Sequence, residues 1–401
     1  MKEKYCEYCF PEKPRHFFDK FTSSVTIFLV DPLYVFIGKI LNARNVNRLG
    51  KILEDFMIKF FFFFNLLERV TEIEREYYPK RALTIWDEAK KRNLDISSVV
   101  FGKGKKYLNI FCWEQGNKKH YFKDSPVFEF DDIRPNDILV DDKARFKAFL
   151  IKNGLPCADG GCFFSMKKAI KHGLEIGWPL VVKPVASSLS RHAIVKIDSR
   201  EKLVNAIKIA KQIGAKVVVE KFVEGNVYRA VVLAGCLIAV AKRLPANIVG
   251  DGVNVVEKLI KQKNLKLKTD SQIVIDENLI KMLGMKNKNL GTILSFGERL
   301  ELSGKVTVRS GGEIHNETDF INAETKKMFE KLQLDLNIPY CGFDFICQDV
   351  SRSYLEQNFA IIENNTLPFI EMHHEPDFGE PIDVARMVWD YVIEKEKELV
   401  G

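Results

Sequence analysis

At 401 residues the chain is long enough for two or three domains, each burying its own core. Hydrophobic residues make up 46% and charged residues 29%, the ordinary balance of a soluble globular protein. The formal net charge of +7 is mild and its basic residues are interleaved with acids, which argues against nucleic-acid binding and is equally consistent with anionic substrates.

The first segment, residues 1–78, reads as a helical extension. Cys6 and Cys9 form a lone CxxC followed by His16. Zinc wants four ligands and no second pair lies nearby, so two unremarkable thiols are expected. The eight scattered cysteines, in a sequence that starts without a signal peptide, predict reduced thiols and a cytoplasmic enzyme. Two apolar stretches fall short of a membrane span. Val25–Leu41 is broken by Asp31, Pro32 and Lys39, and Met57–Leu67 is short and carries Lys59. The run Phe60–Phe64 points rings all round a helix, which predicts a buried helix; a membrane-surface or partner-binding helix is the alternative.

Residues 79–140 read as a small α/β pre-domain. Pro79 begins a helix carrying Leu83, Ile85 and Trp86, Ile96–Phe101 reads as a strand, and YLNIFCW and KKHYF form a hairpin around Glu114–Asn117. From Asp141 the pattern changes. Asp141–Lys143 opens a helix that Gly154 closes, and Ser165 caps a second helix ending near Gly177. Strand, loop and strand follow at Pro179–Ile197, a helix at Arg200–Ile213 and a strand at Lys216–Val223. Tyr228–Leu233 and Cys236–Lys242 pair around Ala234 and Gly235. Later come a helix at Ala323–Leu336, strands around Phe343–Cys347 and Ala360–Glu363, and a helix at Asp383–Leu399. The mixture predicts an α+β fold.

Three charges sit where charge is expensive. Lys183 lies in the apolar strand LVVKPV, where an ammonium needs an anion. Asp344 in GFDFI and Glu363 in IIENN need a cation for the same reason, and their hard oxygens, with Asn365, suit Mg2+. Salt-bridged pairs are the structural alternative.

These residues sit inside longer strings: WPLVVKP (Trp178–Pro184), VVVEKFVEGNVYR (Val217–Arg229) and AKRLPANIVGDG (Ala241–Gly252), then GFDF and IIENN. In that order they resemble the ATP-grasp ligases, most closely the ATP-grasp region of cyanophycin synthetases, with similarity also to bifunctional glutathione synthetases. RLPANIVGDG is the most specific part. The resemblance covers Asp141–Pro381 and implies two α+β lobes gripping ATP, with an ATP lobe over 141–250 and a metal and substrate lobe over 251–401. It implies nucleotide contacts from Lys143, Lys183, Ser187, Ser188, Arg191, Glu220, Lys221, Phe222 and Val223. It gives Arg229, Arg243 and Arg309 the reacting groups, and Asp344, Glu363 and Asn365 a Mg2+ ion, for which Mn2+ is a substitute.

The phosphate loop departs from the family pattern: Ser187, Ser190 and His192 stand where glycines are expected. The pair His373–His374 beside Glu375 reads as substrate-pocket or structural histidines rather than a metal site. The implied activity is ATP-driven joining of a carboxylate to an amine through an acyl phosphate, on an amino acid or peptide, with a homo-oligomer left open. Cyanophycin synthetases continue into a second, Mur-ligase-like domain that this sequence does not match, so the two-step polymerisation is not expected of it alone. The rival reading, drawn from the glycine-poor loop and the phenylalanine run, is a degenerate ATP-binding module in a biosynthetic or membrane-associated complex.

Overall fold

The computed structural model describes His16 and residues 56, 58–102, 106–127, 143–185, 192–267, 271–303 and 311–400. Cys6, Cys9, Ser187, Ser188, Arg191 and Arg309 lie outside the described residues.

The first sheet is antiparallel, in the order β1 (Leu67–Val70), β2 (Asp95–Phe101), β3 (Lys106–Gln115), β4 (Lys118–Lys123). Helix α1 (Lys80–Lys91), with Pro79 at its N-cap, lays Ala82, Ile85, Trp86 and Ala89 against Phe111, Trp113 and Phe122. The sheet therefore starts earlier than the sequence suggests. Leu67–Val70, placed by sequence in the helical extension, pairs in register with Ser98–Phe101. The phenylalanine run also departs from expectation. Its helix is not buried: Phe63 is 80% exposed and Phe60 43%, while Phe61 and Phe62 reach Phe101 and Tyr121. Five consecutive rings cannot share one helix face, so only part of the run finds the sheet. Among the described residues no helix is long and apolar enough to cross a membrane.

Helix α2 (Lys143–Lys152) leads into the second sheet, ordered β5 (Gly160–Phe163), β8 (Val217–Lys221), β6 (Leu180–Pro184), β7 (Ile194–Ile197). Helices α3 (Met166–Ile176) and α4 (Arg200–Ala210) cover it. Each is capped by a serine, Ser165 and Ser199, that accepts from a backbone N–H one turn on. Leu180, Val182, Val217 and Val219 alternate inward against Leu203, Ala206 and Ile207.

The third sheet is ordered β13 (Glu313–Asn316), β10 (Cys236–Leu244), β9 (Asn226–Leu233), β14 (Tyr340–Cys347), β15 (Phe359–Asn365). This moves the lobe boundary. The sequence puts residues up to 250 on the ATP lobe, but β9 and β10 hydrogen-bond to each other and, through β9, to β14. A hairpin travels with the sheet that pairs its outer strand, so the first lobe's sheet ends with β8. One face of the third sheet receives Phe146 and Leu150 of α2 and Phe329 and Leu332 of α7 (Ala323–Asp335). The opposite face meets α1, the short α8 (Glu371–His374) and α9 (Val384–Val400), with Trp389 buried and its indole N–H donated to the Ile85 carbonyl at 2.9 Å.

Between β10 and β13 lies an insert: β11 (Asn247–Val249), α5 (Val256–Asn264), α6 (Glu277–Met285) and β12 (Arg299–Glu301). It closes a core of its own around Ile248, Val256, Leu259, Leu283, Leu294 and Leu300. Two of its glycines should respond to alanine in opposite directions. A Cβ at Gly250 would overlap the Ser295 carbonyl and Leu294, whereas one at Gly284 in α6 meets nothing within 4 Å. Gly250→Ala should destabilise by about 1–3 kcal/mol. Gly284→Ala should stabilise by up to about 1 kcal/mol. Thermal denaturation of the two variants checks both signs.

Candidate active site

Helix α2 carries Lys143 and Lys147 one turn apart on the same side. Like charges so placed repel unless each has a counter-charge. Each does, and on a different sheet. Lys147 Nζ lies 2.7 Å from Glu220 Oε1 at the end of β8, and Lys143 Nζ lies 2.9 Å from Glu363 Oε2 on β15. Lys147 also donates to the Ala158 carbonyl. Lys183 on β6 takes the other Glu220 oxygen at 2.8 Å. Burial disfavours this ammonium, but Glu220 outweighs it and holds Lys183 above its ordinary value.

The second half of the site is set by register. Asp344 on β14 stands opposite Arg229 on β9 and opposite Glu363 on β15. A bulge in β15 next to this position adds a residue beside the pair. Asp344 accepts from Arg229 through both oxygens, the Nη2 bond at 2.8 Å, and from Arg243 Nη1 at 3.5 Å. Burial pushes its carboxyl up, and the two guanidiniums overcome that and hold it well below the usual carboxylate range. Burial, and after it repulsion from Arg229, outweigh Asp344 and lower Arg243. Of the two arginines, Arg243 therefore gains more from a further anion.

Asp344 and Glu363 stand directly opposite each other across β14 and β15, and Asn365 Nδ2 approaches Glu363 Oε1 at 3.5 Å. Two carboxylates so placed share a proton or a cation. A carboxylate offers about four lone-pair sites, so the arginine and lysine contacts leave acceptor capacity on both. The donor set is all oxygen, which fits a hard divalent ion.

The remaining predicted residues divide. The N–H groups of Lys221 and Phe222 are taken by the Asp159 and Pro179 carbonyls, at 2.7 and 2.9 Å. The Lys221 ammonium turns away to the Trp178 and Ile176 carbonyls. Phe222 is half-buried, with the Lys196 ammonium 5.4 Å from its ring centre, and Val223 is half-buried beside it. His192, which ends the glycine-poor loop, has φ 56°, the left-handed conformation a glycine adopts freely. It is buried there, with Nδ1 2.7 Å from the Ile209 carbonyl.

Sequence reasoning missed Lys147, although its spacing of four from Lys143 was the available signal. It also missed Glu371, beside the singled-out histidines. Burial raises the Glu371 carboxyl and pushes the buried His373 down to about 3, so His373 is neutral. His374 is tied down instead, accepting at Nε2 from the Ala385 N–H at 3.1 Å.

No family model matches the chain. Over 264 residues it is 28% identical to cyanophycin synthetase of Synechocystis sp., which covers 63% of this chain and 30% of that protein. Over 325 residues it is 26% identical to the glutathione biosynthesis bifunctional protein GshAB of Listeria innocua, covering 77% and 41%. The crystal structure of a bifunctional glutathione synthetase from Pasteurella multocida superposes with a TM-score of 0.56 at 21% identity, over 79% of this chain and 44% of that one. The chain has the ATP-grasp fold. Its expected resemblance to cyanophycin and bifunctional glutathione synthetases stands, and it spans less than half the length of either relative. In the ATP-grasp arrangement the second and third sheets are the two lobes, and Lys183 and Glu220 fall on one, Asp344, Glu363 and Asn365 on the other.

The ion triplet around Glu220 has a pH signature. Burial raises this carboxyl, and Lys183 and Lys147 more than offset it, leaving it below its ordinary 4.5. A depressed carboxyl contributes stability above its unfolded value that is lost as pH falls through the folded one. Glu220→Gln should lower stability near neutral pH by about 3–5 kcal/mol. It should also flatten the fall in melting temperature below about pH 4.5, as melting curves across pH would register.

Proposed function

We propose that the chain is an ATP-dependent carboxylate–amine ligase, forming an amide or peptide bond on an amino acid or peptide through an acyl phosphate. One observation carries this reading: Asp344 and Glu363 face each other across β14 and β15, with Lys143, Arg229 and Arg243 at hydrogen-bonding or ion-pair distance. The similarity to a cyanophycin synthetase and to a bifunctional glutathione biosynthesis protein supports the class of chemistry.

In this reading Lys143 and Lys183 exchange their carboxylate partners for nucleotide phosphates, a trade of one anion for another that keeps each ammonium compensated. Arg191 and the hydroxyls of Ser187 and Ser188 would donate to phosphate oxygens. Phe222 and Val223 wall the adenine slot, with Glu220 and Lys221 at its edge. Asp344, Glu363 and Asn365 hold Mg2+ or Mn2+. A bound magnesium ion neutralises phosphate charge and orients the phosphates. Arg243, whose Nη1 contacts Asp344, meets the charge that develops on the reacting carboxylate, and Arg229 holds Asp344 in place beneath it. Arg309 serves the same phosphate and carboxylate region. The chain's contribution is positioning and charge neutralisation, and no covalent intermediate with a side chain is required.

Phosphate release from MgATP, followed across a panel of amino acids and dipeptides, tests the reading against a module that only binds nucleotide. Turnover with at least one pair of substrates is expected. Asp344→Asn and Glu363→Gln should each lower it by about a hundredfold or more per folded molecule. Asp344→Asn should also lower stability by about 3–5 kcal/mol, because Arg229 and Arg243 lose their buried counter-charge. MgATP binding without phosphate release under every combination would leave the degenerate module as the better description.

A further inference from the structure

The helix that carries the phenylalanine run has two apolar faces, and the fold uses one of them. Phe61 and Phe62 meet the first sheet, their rings 6.4 Å from Phe101 and 6.1 Å from Tyr121. Phe56, Phe60, Phe63 and Phe64 recur at i, i+4, i+7 and i+8, the spacing of a single helix face. That face is turned outward: Phe63 is 80% exposed, Phe56 62%, Phe64 54% and Phe60 43%. Its rings are continuous. Phe60 lies 6.2 Å from Phe56 and 4.7 Å from Phe64, whose ring is 5.2 Å from Phe63, centre to centre.

An aromatic side chain offers about 150–250 Å2, so these exposed fractions amount to roughly 350–600 Å2 of unbroken aromatic surface. That is as much as the largest apolar patch a soluble chain commonly shows. A stable dimer needs about 800 Å2 from each partner, more than this face offers on its own. A lipid bilayer sets no such threshold, because binding grows with each ring that enters it.

The charge around the rings selects the kind of bilayer. Strand alternation puts Phe101 and Tyr121, the residues that receive the helix, on the face of the first sheet opposite to α1. Lys106 pairs with Phe101 across β2 and β3 and shares that face, as do Lys119 and Lys123 on either side of Tyr121. All three lysines are exposed. Arg69 joins them from β1. The acids of these strands on the same face are Asp95 and Glu114, and Glu114 is taken by Arg69 and Lys119. Lys59 is exposed on the helix itself. Cations therefore outnumber acids around the rings, and lysines at a membrane surface favour anionic headgroups.

We propose that Phe56, Phe60, Phe63 and Phe64, with Lys59 and the lysines of the first sheet, form a peripheral docking surface for an anionic phospholipid bilayer. The surface shares no residue with the charged cleft, so the proposal stands whatever reaction the cleft performs.

Co-sedimentation of the full chain with vesicles tests it. Vesicles of equal parts phosphatidylcholine and phosphatidylglycerol should bind the wild-type chain, and pure phosphatidylcholine should bind it at least about tenfold more weakly. Raising the salt to about 0.5 M should remove most of that preference, because screening shortens the reach of the lysines. The double variant Phe63→Ser, Phe64→Ser should bind the anionic vesicles at least about tenfold more weakly. Its melting temperature should stay within a few degrees of wild type, since both rings are exposed. In Phe63→Trp, which keeps the face apolar, indole emission should shift to the blue when anionic vesicles are added. No binding to either vesicle, equal binding to both, unchanged emission, or undiminished binding by the double variant would overturn the proposal. Self-association of the wild-type chain without lipid, lost in the double variant on sedimentation velocity, would also overturn it and assign the face to a second copy. The lipid comparison and the emission shift decide even if the double variant fails to fold.

Discussion

Two lysines one helical turn apart hold the two lobes in register. Lys147 of α2 reaches Glu220 on the second sheet, and Lys143 reaches Glu363 on the third. The helix between them is anchored by Phe146 and Leu150 in the core of the third sheet. Five cations of the cleft, Lys143, Lys147, Lys183, Arg229 and Arg243, are in contact with three carboxylates, Glu220, Glu363 and Asp344. Burial makes each of these charges costly without its partner, so the ion pairs hold the side chains in place. In the proposed ligase reading a polyphosphate between the lobes would take over the carboxylates' part.

The site also depends on packing outside it. Arg229 can fork onto Asp344 because β9 and β14 pair in a register that alternates these charges with Ala230 and Phe343 on the opposite face. That face is stacked aromatic core, with Phe343 against Phe146 and Phe329, and Phe345 against Tyr228. A slip by one residue would drive a carboxylate into this layer, so the aromatic core enforces the register of the charged face. The pre-domain is bound in the same way, since Trp86, Trp113 and Trp389 belong to one core with Val231 and Tyr340.

Much of this was legible in the sequence because expensive residues announce themselves. Lys183, Asp344 and Glu363 stand in apolar strands where a charge has to be compensated, and all three are paired. Helix and strand positions followed from serine caps, glycine stops and alternation. What was not legible is long-range. β9 pairs with the adjacent β10 as read, but its other partner, β14, lies more than a hundred residues away, so the division of strands between lobes could not be read from order along the chain. The phenylalanine run misled for a related reason: hydrophobicity says that rings prefer burial, but only a surface to meet them decides which are buried. The helices of the insert between β10 and β13 were not read from the sequence, although Val256, Leu259 and Ile260 in α5 and Leu279 and Leu283 in α6 recur at helical spacing.

The insert's separate core has a consequence for the molecule's energetics. Its cluster of Ile248, Val256, Leu283 and Leu300 is distinct from the cores of both lobes. At its edge Glu313 of β13 gathers Lys263 at 2.7 Å, Arg299 at 3.0 Å and His315 at 3.3 Å, which hold that carboxyl far below its ordinary value. A unit with its own interior, clasped at its border by charges, can detach without exposing the aromatic layers beneath the active site. Amide protons of α5 and α6 would then exchange through a sub-global opening, at lower free energy than those of β9 and β14, which exchange only when the whole sheet comes apart.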